Sequence, residues 1–264
     1  MDPFALRLLA SFLVGGVWIS LITIAAERLG PRQGGWFGGL PSTVVVAMLF
    51  IGWTQGDQAV FEATTAFPLT MAVNAVYLIA FAVLSRRGLT AAVTGALLVW
   101  AALQTALVLA DPQDFGWAVV GWLVAFVGSY KILRRLAPLA GDDSAPIRYT
   151  PLQILGRGAF GGSVIALAVL LSKFGGPIFG SVFSCFPAVF TSTLLIAARA
   201  VGMDFSRSLL IPLMVSAVLN VVVYAIALRF TIGGLGLVGA SAAAYVVSLG
   251  SGGLTYLFLR AQRP

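Results

Sequence analysis

The sequence has no histidine, a single cysteine (Cys185) and few charged residues. Without histidine the usual zinc, haem and histidine-dependent acid/base sites are excluded, and one cysteine cannot form an intrachain disulfide. Only 9% of the 264 residues are charged, whereas soluble domains carry about 25%. No Asp or Glu lies in the middle of an apolar run, so neither a catalytic carboxylate pair nor an intramembrane proton or sodium carrier is evident. We therefore expect no cofactor, no metal and no enzymatic activity.

Apolar residues make up 59% of the chain, and its mean hydropathy is +1.00. They occur in successive runs of about 20 residues, the length that a helix needs to cross ~30 Å of hydrocarbon. This pattern predicts an all-α integral membrane protein. The N-terminus lacks a basic region before the first run, so we expect this helix to be retained rather than removed as a signal peptide.

The apolar runs predict nine transmembrane helices. Proline residues refine this interpretation: Pro68 and Pro151 fall near predicted helix starts, whereas Pro41, Pro187 and Pro212 fall inside apolar runs and should bend them. The predicted spans cover residues 4–26, 36–53, 66–84, 89–110, 115–133, 152–172, 178–199, 208–230 and 234–259.

One glycine- and proline-rich stretch occurs twice, 146 residues apart. The stretch from Gly30 to Thr43 returns in altered form from Gly176 to Val189. The same offset aligns the only two asparagines of the chain, Asn74 and Asn220. We interpret this register as an internal duplication. It divides the chain into a first four-helix repeat (1–114), a linking helix with a hydrophilic loop (115–150) and a second repeat (151–264).

The four helices of the first repeat and the linking helix cross the membrane five times. Because five is an odd number, the second repeat enters the membrane from the side opposite to the first, and the two repeats are predicted to be inverted. Positive charges favour the same arrangement, because Lys and Arg collect in cytoplasmic loops. Three cations fall on one side, namely Arg7, Lys173 and Arg229. Thirteen fall on the other: Arg28, Arg32, Arg86, Arg87, Lys131, Arg134, Arg135, Arg148, Arg157, Arg199, Arg207, Arg260 and Arg263.

This charge distribution predicts an N-terminus outside and a C-terminus inside a cell's inner (cytoplasmic) membrane, which the chain crosses several times. The net charge of +7 is accounted for by these loops. We therefore expect the lipid bilayer and a small solute or ion as partners, and no nucleic acid.

The doubled stretch is the first candidate site. Non-helical backbone is tolerated within a membrane only where protein or a water-filled cavity satisfies its polar groups, and paired Gly/Pro interruptions are typical of transporter binding sites. The alternative is close packing, for which glycine is also suited. The candidate residues at the breaks are Pro41, Ser42, Thr43, Pro187 and Thr191.

Buried polar residues supply the remaining candidates. Asn74 and Asn220 fall in the middle of predicted helices, with Tyr77 and Tyr224 about one turn further on. The two amides either line a central cavity as ligands or form interhelical hydrogen bonds. Arg157, between Gly156 and Gly158, either contacts an anionic group or extends to the lipid headgroups.

The second copy of the stretch resembles small GlpM-like inner-membrane proteins. The residues that carry the resemblance are Phe174, Gly175, Gly176, Pro177, Gly180, Phe183, Phe186, Pro187, Ala188, Val189 and Phe190, preceded by Gly161 and Gly162. It is strongest over residues 156–200 and weaker in the first half, where Gly39 and Leu40 replace Cys185 and Phe186. GlpM-like proteins are about half this length with four spans, so the resemblance implies a duplicated and fused repeat and brings no established substrate.

These observations lead to two functional hypotheses. The first is a transporter or permease for a small solute, with alternating access about a midplane site built from the broken helices; a lipid flippase and a channel are variants of it. The second is a non-transporting membrane scaffold or accessory subunit, whose glycines serve only to pack helices. A polar, water-accessible cavity that reaches both Pro41 and Pro187 would favour the first hypothesis, and a dry, close-packed interface there would favour the second.

Overall fold

A computed structural model describes residues 2–28, 39–137 and 149–261, and within these ranges the chain is helical without β strands. The helices are α1 (Pro3–Arg28), α2 (Ser42–Gln55), α3 (Asp57–Leu84), α4 (Leu89–Ala110), α5 (Phe115–Leu136), α6 (Pro151–Gly175), α7 (Pro177–Ser184), α8 (Ala188–Ala200), α9 (Met203–Ser208), α10 (Leu210–Leu213) and α11 (Leu219–Ala261). A 3₁₀ turn (Ser85–Arg87) precedes α4, and a π-helical segment (Met214–Val218) joins α10 to α11.

Several helix ends follow from local sequence. Asp114 caps α5 by accepting a 2.8 Å hydrogen bond from the Trp117 N–H. Thr150 and Gln153 form a capping box at the start of α6, where Pro151 occupies the first helical position. Gly56 and Gly202 have φ values of 89° and 130°, which residues with a Cβ rarely adopt, so glycine is required where α2 and α8 end.

Seven helical segments in the described residues are long and apolar enough to cross a membrane, and α2 is a shorter apolar helix. At 14 residues it rises only ~21 Å, about two thirds of the hydrocarbon thickness. The chain is therefore a multi-pass membrane protein. The start of the predicted second span, residues 36–38, and the first part of the doubled stretch, Gly30 to Gly38, lie outside the described residues.

The predicted helix starts and breaks need two corrections. The third predicted span began at residue 66, but α3 begins at Asp57, so Pro68 lies inside this helix rather than near its start. Polar residues such as Gln58 and Glu62, which hydrogen-bond to each other at 2.8 Å, made this first part of the helix resemble a loop. The predicted gap at 231–233 is helical, and the backbone is interrupted instead at Gly236 (φ 65°, ψ 176°).

Two helical segments form the centre of the molecule. The most apolar stretches of α3 and of the run from Met203 to Thr255 are 61% and 72% buried, against 22% for α1, α4 and α5. The largest fully buried side chains include Tyr77 and Phe81 on α3 and Tyr224 on α11. The outer helices expose leucines and valines, as helices in contact with lipid do.

Helices α1 and α6 cross in an antiparallel contact made by glycine. A Cβ on Gly162 would lie 2.4 Å from the Phe12 carbonyl oxygen, and a Cβ on Gly16 would lie 3.1 Å from that of Gly158. The Ile165 side chain covers Gly15, and the Ile19 side chain covers Gly161. The 146-residue offset relates the contacts in pairs: Gly162–Phe12 corresponds to Gly16–Gly158, and Gly15–Ile165 corresponds to Gly161–Ile19. The small residues allow the two backbones to approach closely.

Candidate functional site

The two prolines of the doubled stretch adopt the same backbone turn. Pro41 has φ −74° and ψ 48°, and Pro187 has φ −75° and ψ 42°. In both turns the residue after the proline donates its N–H to the carbonyl oxygen two residues back, at 2.7 Å, from Ser42 to Leu40 and from Ala188 to Phe186. This is an inverse γ-turn, and it starts α2 and α8 in the interior of the protein.

A small cavity of about 40 Å³ is lined by both turns. Its volume is sufficient for about three water molecules at most. The residues around it come from both halves of the chain: Leu40, Pro41, Thr43, Val44, Met71, Asn74, Cys185, Phe186, Pro187, Val189, Phe190, Ala217 and Val221.

The N-termini of α2 and α8 both face this cavity. Within the described residues, no acceptor is assigned to the N–H groups of Thr43 and Val44, or to those of Val189 and Phe190. Free N–H groups at a helix N-terminus carry partial positive charge. Residues from two helix N-termini therefore line the cavity, whose walls are otherwise mostly apolar.

The side-chain amide of Asn74, on α3, connects this helix to α4 and to the turn that follows α7. Its Nδ2 donates to the carbonyl oxygen of Cys185 at 2.8 Å, and its Oδ1 accepts from Trp100 Nε1 at 2.8 Å. The side chain is 2% exposed. The Trp100 ring also packs edge-on against Phe186, with ring centroids 4.9 Å apart. Asn74 thus fixes the turn before Pro187 to α3 and α4.

Asn220 makes one equivalent contact in the other half, through its Nδ2, and has a different partner at its Oδ1. Its Nδ2 donates to the carbonyl oxygen of Gly39 at 3.2 Å, and its Oδ1 accepts from the Ser251 hydroxyl at 2.7 Å. In the 146-residue register, Gly39 corresponds to Cys185. Each asparagine therefore holds the proline turn of the opposite half. Asn74 forms an interhelical hydrogen bond to Trp100 and lines the cavity, whereas Asn220 bonds to the turn before α2 and to Ser251 on α11 itself.

The other residues that the sequence singled out are distributed around this centre. The Tyr77 hydroxyl lies 2.9 Å from that of Thr191, which donates to the Pro187 carbonyl oxygen at 2.7 Å. Ser42 is buried at the first position of α2. Tyr224 is fully buried but is not among the residues that line the cavity. Arg157 lies at a separate cavity between α6 and α8.

Sequence reasoning missed the two donors to the amide oxygens, namely Trp100, which donates to Asn74, and Ser251, which donates to Asn220. A buried indole needs an acceptor for its N–H, so the apolar context of Trp100 was a usable signal. Ser251 lies among small residues without a distinguishing pattern. The π-helical segment was also missed, although Pro212, whose carbonyl oxygen accepts from Ser216 at 2.6 Å, precedes it. π-helical segments occur frequently at functional sites.

The fold and these buried polar contacts define the class, a multi-pass α-helical membrane protein with two proline turns that meet in its interior. No protein-family model matches the chain, and no curated protein or solved structure is significantly similar to it. The resemblance to GlpM-like proteins therefore stays a prediction.

Proposed function

We propose that the chain is a transporter or permease for a small solute, with its site at the cavity between Pro41 and Pro187. In this proposal two inverted four-helix repeats, 1–114 and 151–264, are joined by the linking helix and loop of 115–150. They rock against each other and expose the site to either side in turn. The proposal involves no covalent chemistry.

The contacts related by the 146-residue register support the inverted repeat. Helices α1 and α6 correspond in this register and pack antiparallel. A two-fold rotation that exchanges two antiparallel helices has its axis perpendicular to both of them. Such an axis lies in the membrane plane, as in inverted-repeat transporters. The pair Gly15–Ile165 and its counterpart Gly161–Ile19 also fit this relation.

The distribution of charge supports an orientation with the N-terminus outside an inner membrane. The three described cations at the end that holds the α1 N-terminus are Arg7, Lys173 and Arg229, and the acidic residues Asp2, Asp57, Glu62, Asp111 and Asp114 belong to the same end. The cations of the opposite end, which we call the arginine-rich end, are Arg28, Arg86, Arg87, Lys131, Arg134, Arg135, Arg157, Arg199 and Arg207. Cytoplasmic loops carry such an excess.

The observation that carries the proposal is the cavity between two matched proline turns. Residues from two helix N-termini line it, and the partial positive charge of such N-termini favours a solute with negative charge or exposed lone pairs. With about 40 Å³ of free space, the cavity has room for a few water molecules but not for a larger solute in this conformation. Passage of a solute therefore requires the halves to move apart around it.

Flux measurements on proteoliposomes test the proposal. We expect uptake of at least one solute from a panel of small anions, polar neutral molecules and cations. The change Ala217→Val, which adds two methyl groups beside the cavity, should reduce this uptake at least fivefold. Ala159→Val adds the same groups on an exposed face of α6 and should leave the uptake unchanged. Equal uptake by both variants would remove the site assignment.

The hydrogen bonds of Asn74 and Asn220 favour the second candidate, a scaffold or accessory subunit, because the oxygen and the nitrogen of each amide already have a protein partner. A scaffold should show no uptake of any solute in the panel. The flippase and channel variants are separated from a solute carrier in the same vesicles, by translocation of a fluorescent lipid and by ionic current across a planar bilayer, respectively.

A further inference from the structure

A second cavity, of about 360 Å³, lies between α6 and α8 near the arginine-rich end. Its volume is within the range of small-ligand pockets, about 300–1,000 Å³. It is distinct from the cavity between the proline turns and shares no residue with it. The residues that line it are Gln153, Gly156, Arg157, Phe160, Ser192, Leu195, Ile196, Arg199 and Ala200.

Arg157 turns into the protein instead of extending to solvent. Its Nη1 donates to the Thr193 hydroxyl on α8 at 3.2 Å, and its guanidinium lies over the Tyr149 ring, 5.2 Å from the centroid. Its Nε is buried and has no hydrogen-bond partner. An arginine within a membrane segment marks a functional site by default, because leaving its charge unpaired is costly.

Arg199 adds a second positive charge to the same cavity. No salt bridge to either Arg157 or Arg199 occurs among the described residues, and no acidic residue lines the cavity. Gln153 and Ser192 contribute further polar groups. Guanidinium groups bind phosphate through paired N–H donors, and two of them attract an anion more strongly than one.

The rest of the cavity is apolar and lies beside exposed apolar residues. Phe160, Leu195 and Ile196 form its walls, and the neighbouring Leu152 and Leu155 are 79% and 68% exposed. A Cβ built on Gly156 meets no atom within 4 Å, so this position adjoins open space. Charged donors and apolar walls within one cavity at the membrane boundary fit a ligand that is itself amphiphilic.

We propose that this cavity binds the phosphate group of an anionic amphiphile, with the phosphate held by Arg157 and Arg199 and the apolar part against Phe160 and Leu195. The phosphate is presented either by a lipid headgroup or by a free phosphate ester. The proposal does not depend on transport, because it requires no movement of the halves. Basic pockets at the cytoplasmic side of membrane helices bind lipid headgroups in this way.

Native mass spectrometry of the purified full chain in detergent tests the proposal, with phosphatidylglycerol and phosphatidylcholine as probes. We expect one retained phosphatidylglycerol, and roughly tenfold weaker retention in Arg157→Gln and in Arg199→Gln, since each removes a charged donor. Arg86→Gln removes an exposed charge at the same end and should have no effect. Equal retention of both lipids, or of phosphatidylglycerol by all these variants, overturns the proposal.

A second variant acts on the shape of the cavity and keeps both arginines. Gly156→Phe places a ring in the open space and should displace phosphatidylglycerol, whereas Gly128→Phe, on α5, also meets open space and should not. Retention that is unchanged by Gly156→Phe contradicts the assignment to this cavity.

A competition arm with glycerol phosphate distinguishes the two sources of the phosphate. Displacement of the lipid at millimolar concentration identifies a free phosphate ester as a sufficient ligand. No displacement identifies the lipid, whose acyl chains then supply most of the affinity.

Discussion

The side-chain amide of Asn74 donates a 2.8 Å hydrogen bond to the carbonyl oxygen of Cys185, 111 residues further along the chain. Asn220 makes the corresponding bond to Gly39 at 3.2 Å. A helix of each half therefore holds the proline turn of the other half. Any movement of the halves that opens the cavity has to lengthen or exchange these two bonds.

Replacing the asparagines should destabilise the protein unequally. Asn74→Ala leaves the Trp100 N–H and the Cys185 carbonyl oxygen unpaired in the interior, and we expect it to cost roughly 1–2 kcal/mol of unfolding free energy. Asn220→Ala should cost less, because its bond to Gly39 is longer and the Ser251 hydroxyl keeps its 3.0 Å bond to the Ser248 carbonyl oxygen. Denaturant unfolding in detergent micelles measures both, with the exposed Gln58→Ala as control. A smaller cost for Asn74→Ala would contradict this account.

A side chain at Gly39 should not be tolerated. A Cβ there would lie 2.3 Å from Ser216 Oγ and 2.5 Å from Ser216 Cβ, so Gly39→Ala forces the turn away from the π-helical segment. We expect a loss of about 1–3 kcal/mol and partial recovery in the double variant Gly39→Ala, Ser216→Gly. Gly156→Ala, which meets open space, is the matched control. Wild-type stability of Gly39→Ala would show that the turn packs differently.

Two adjacent glycines of α6 should respond differently to the same change. The Cβ of Gly162→Ala meets the Phe12 carbonyl oxygen at 2.4 Å, which belongs to the backbone and cannot move away alone. The atoms nearest to a Cβ at Gly161 all belong to the Ile19 side chain, and the terminal Cδ1 is the nearest of them. In thermal unfolding, Ile19→Val should therefore restore part of the stability lost in Gly161→Ala. The same Ile19→Val change should not restore the stability lost in Gly162→Ala. Recovery in both cases would argue against the close backbone contact.

The hydroxyls of Tyr77 and Thr191 should be energetically coupled. Thr191 donates to the Pro187 carbonyl oxygen, so Tyr77 is the donor of their 2.9 Å bond. A double-mutant cycle of Tyr77→Phe and Thr191→Val should give a coupling of about 0.5–1.5 kcal/mol. A control cycle that pairs Tyr77→Phe with Ser163→Ala should give no coupling, because the Ser163 hydroxyl bonds within its own helix. Zero coupling in the first cycle would exclude this bond from the native state.

Sequence patterns predicted the elements that depend on composition and repetition. The long apolar runs identified most helices, and the repetition of Pro41 at Pro187 identified the two turns, because proline lacks the N–H that a helix interior needs. A proline alone was not sufficient, since Pro68 lies inside α3. Polar residues misled where a helix extends beyond the hydrocarbon, as at the start of α3. The closeness of Asn74 to Cys185 and of Arg157 to Thr193 was not predictable, since it depends on how distant helices pack.

Labelling of Cys185 tests the transport proposal most directly. It is the only thiol of the chain, lines the cavity between the proline turns and is 4% exposed. If the halves open alternately, a membrane-impermeant methanethiosulfonate reagent should modify the folded protein in vesicles when added on either side, and Cys185→Ser should abolish the modification. A thiol that remains unmodified from both sides, yet reacts fully after denaturation, would contradict alternating access at this site.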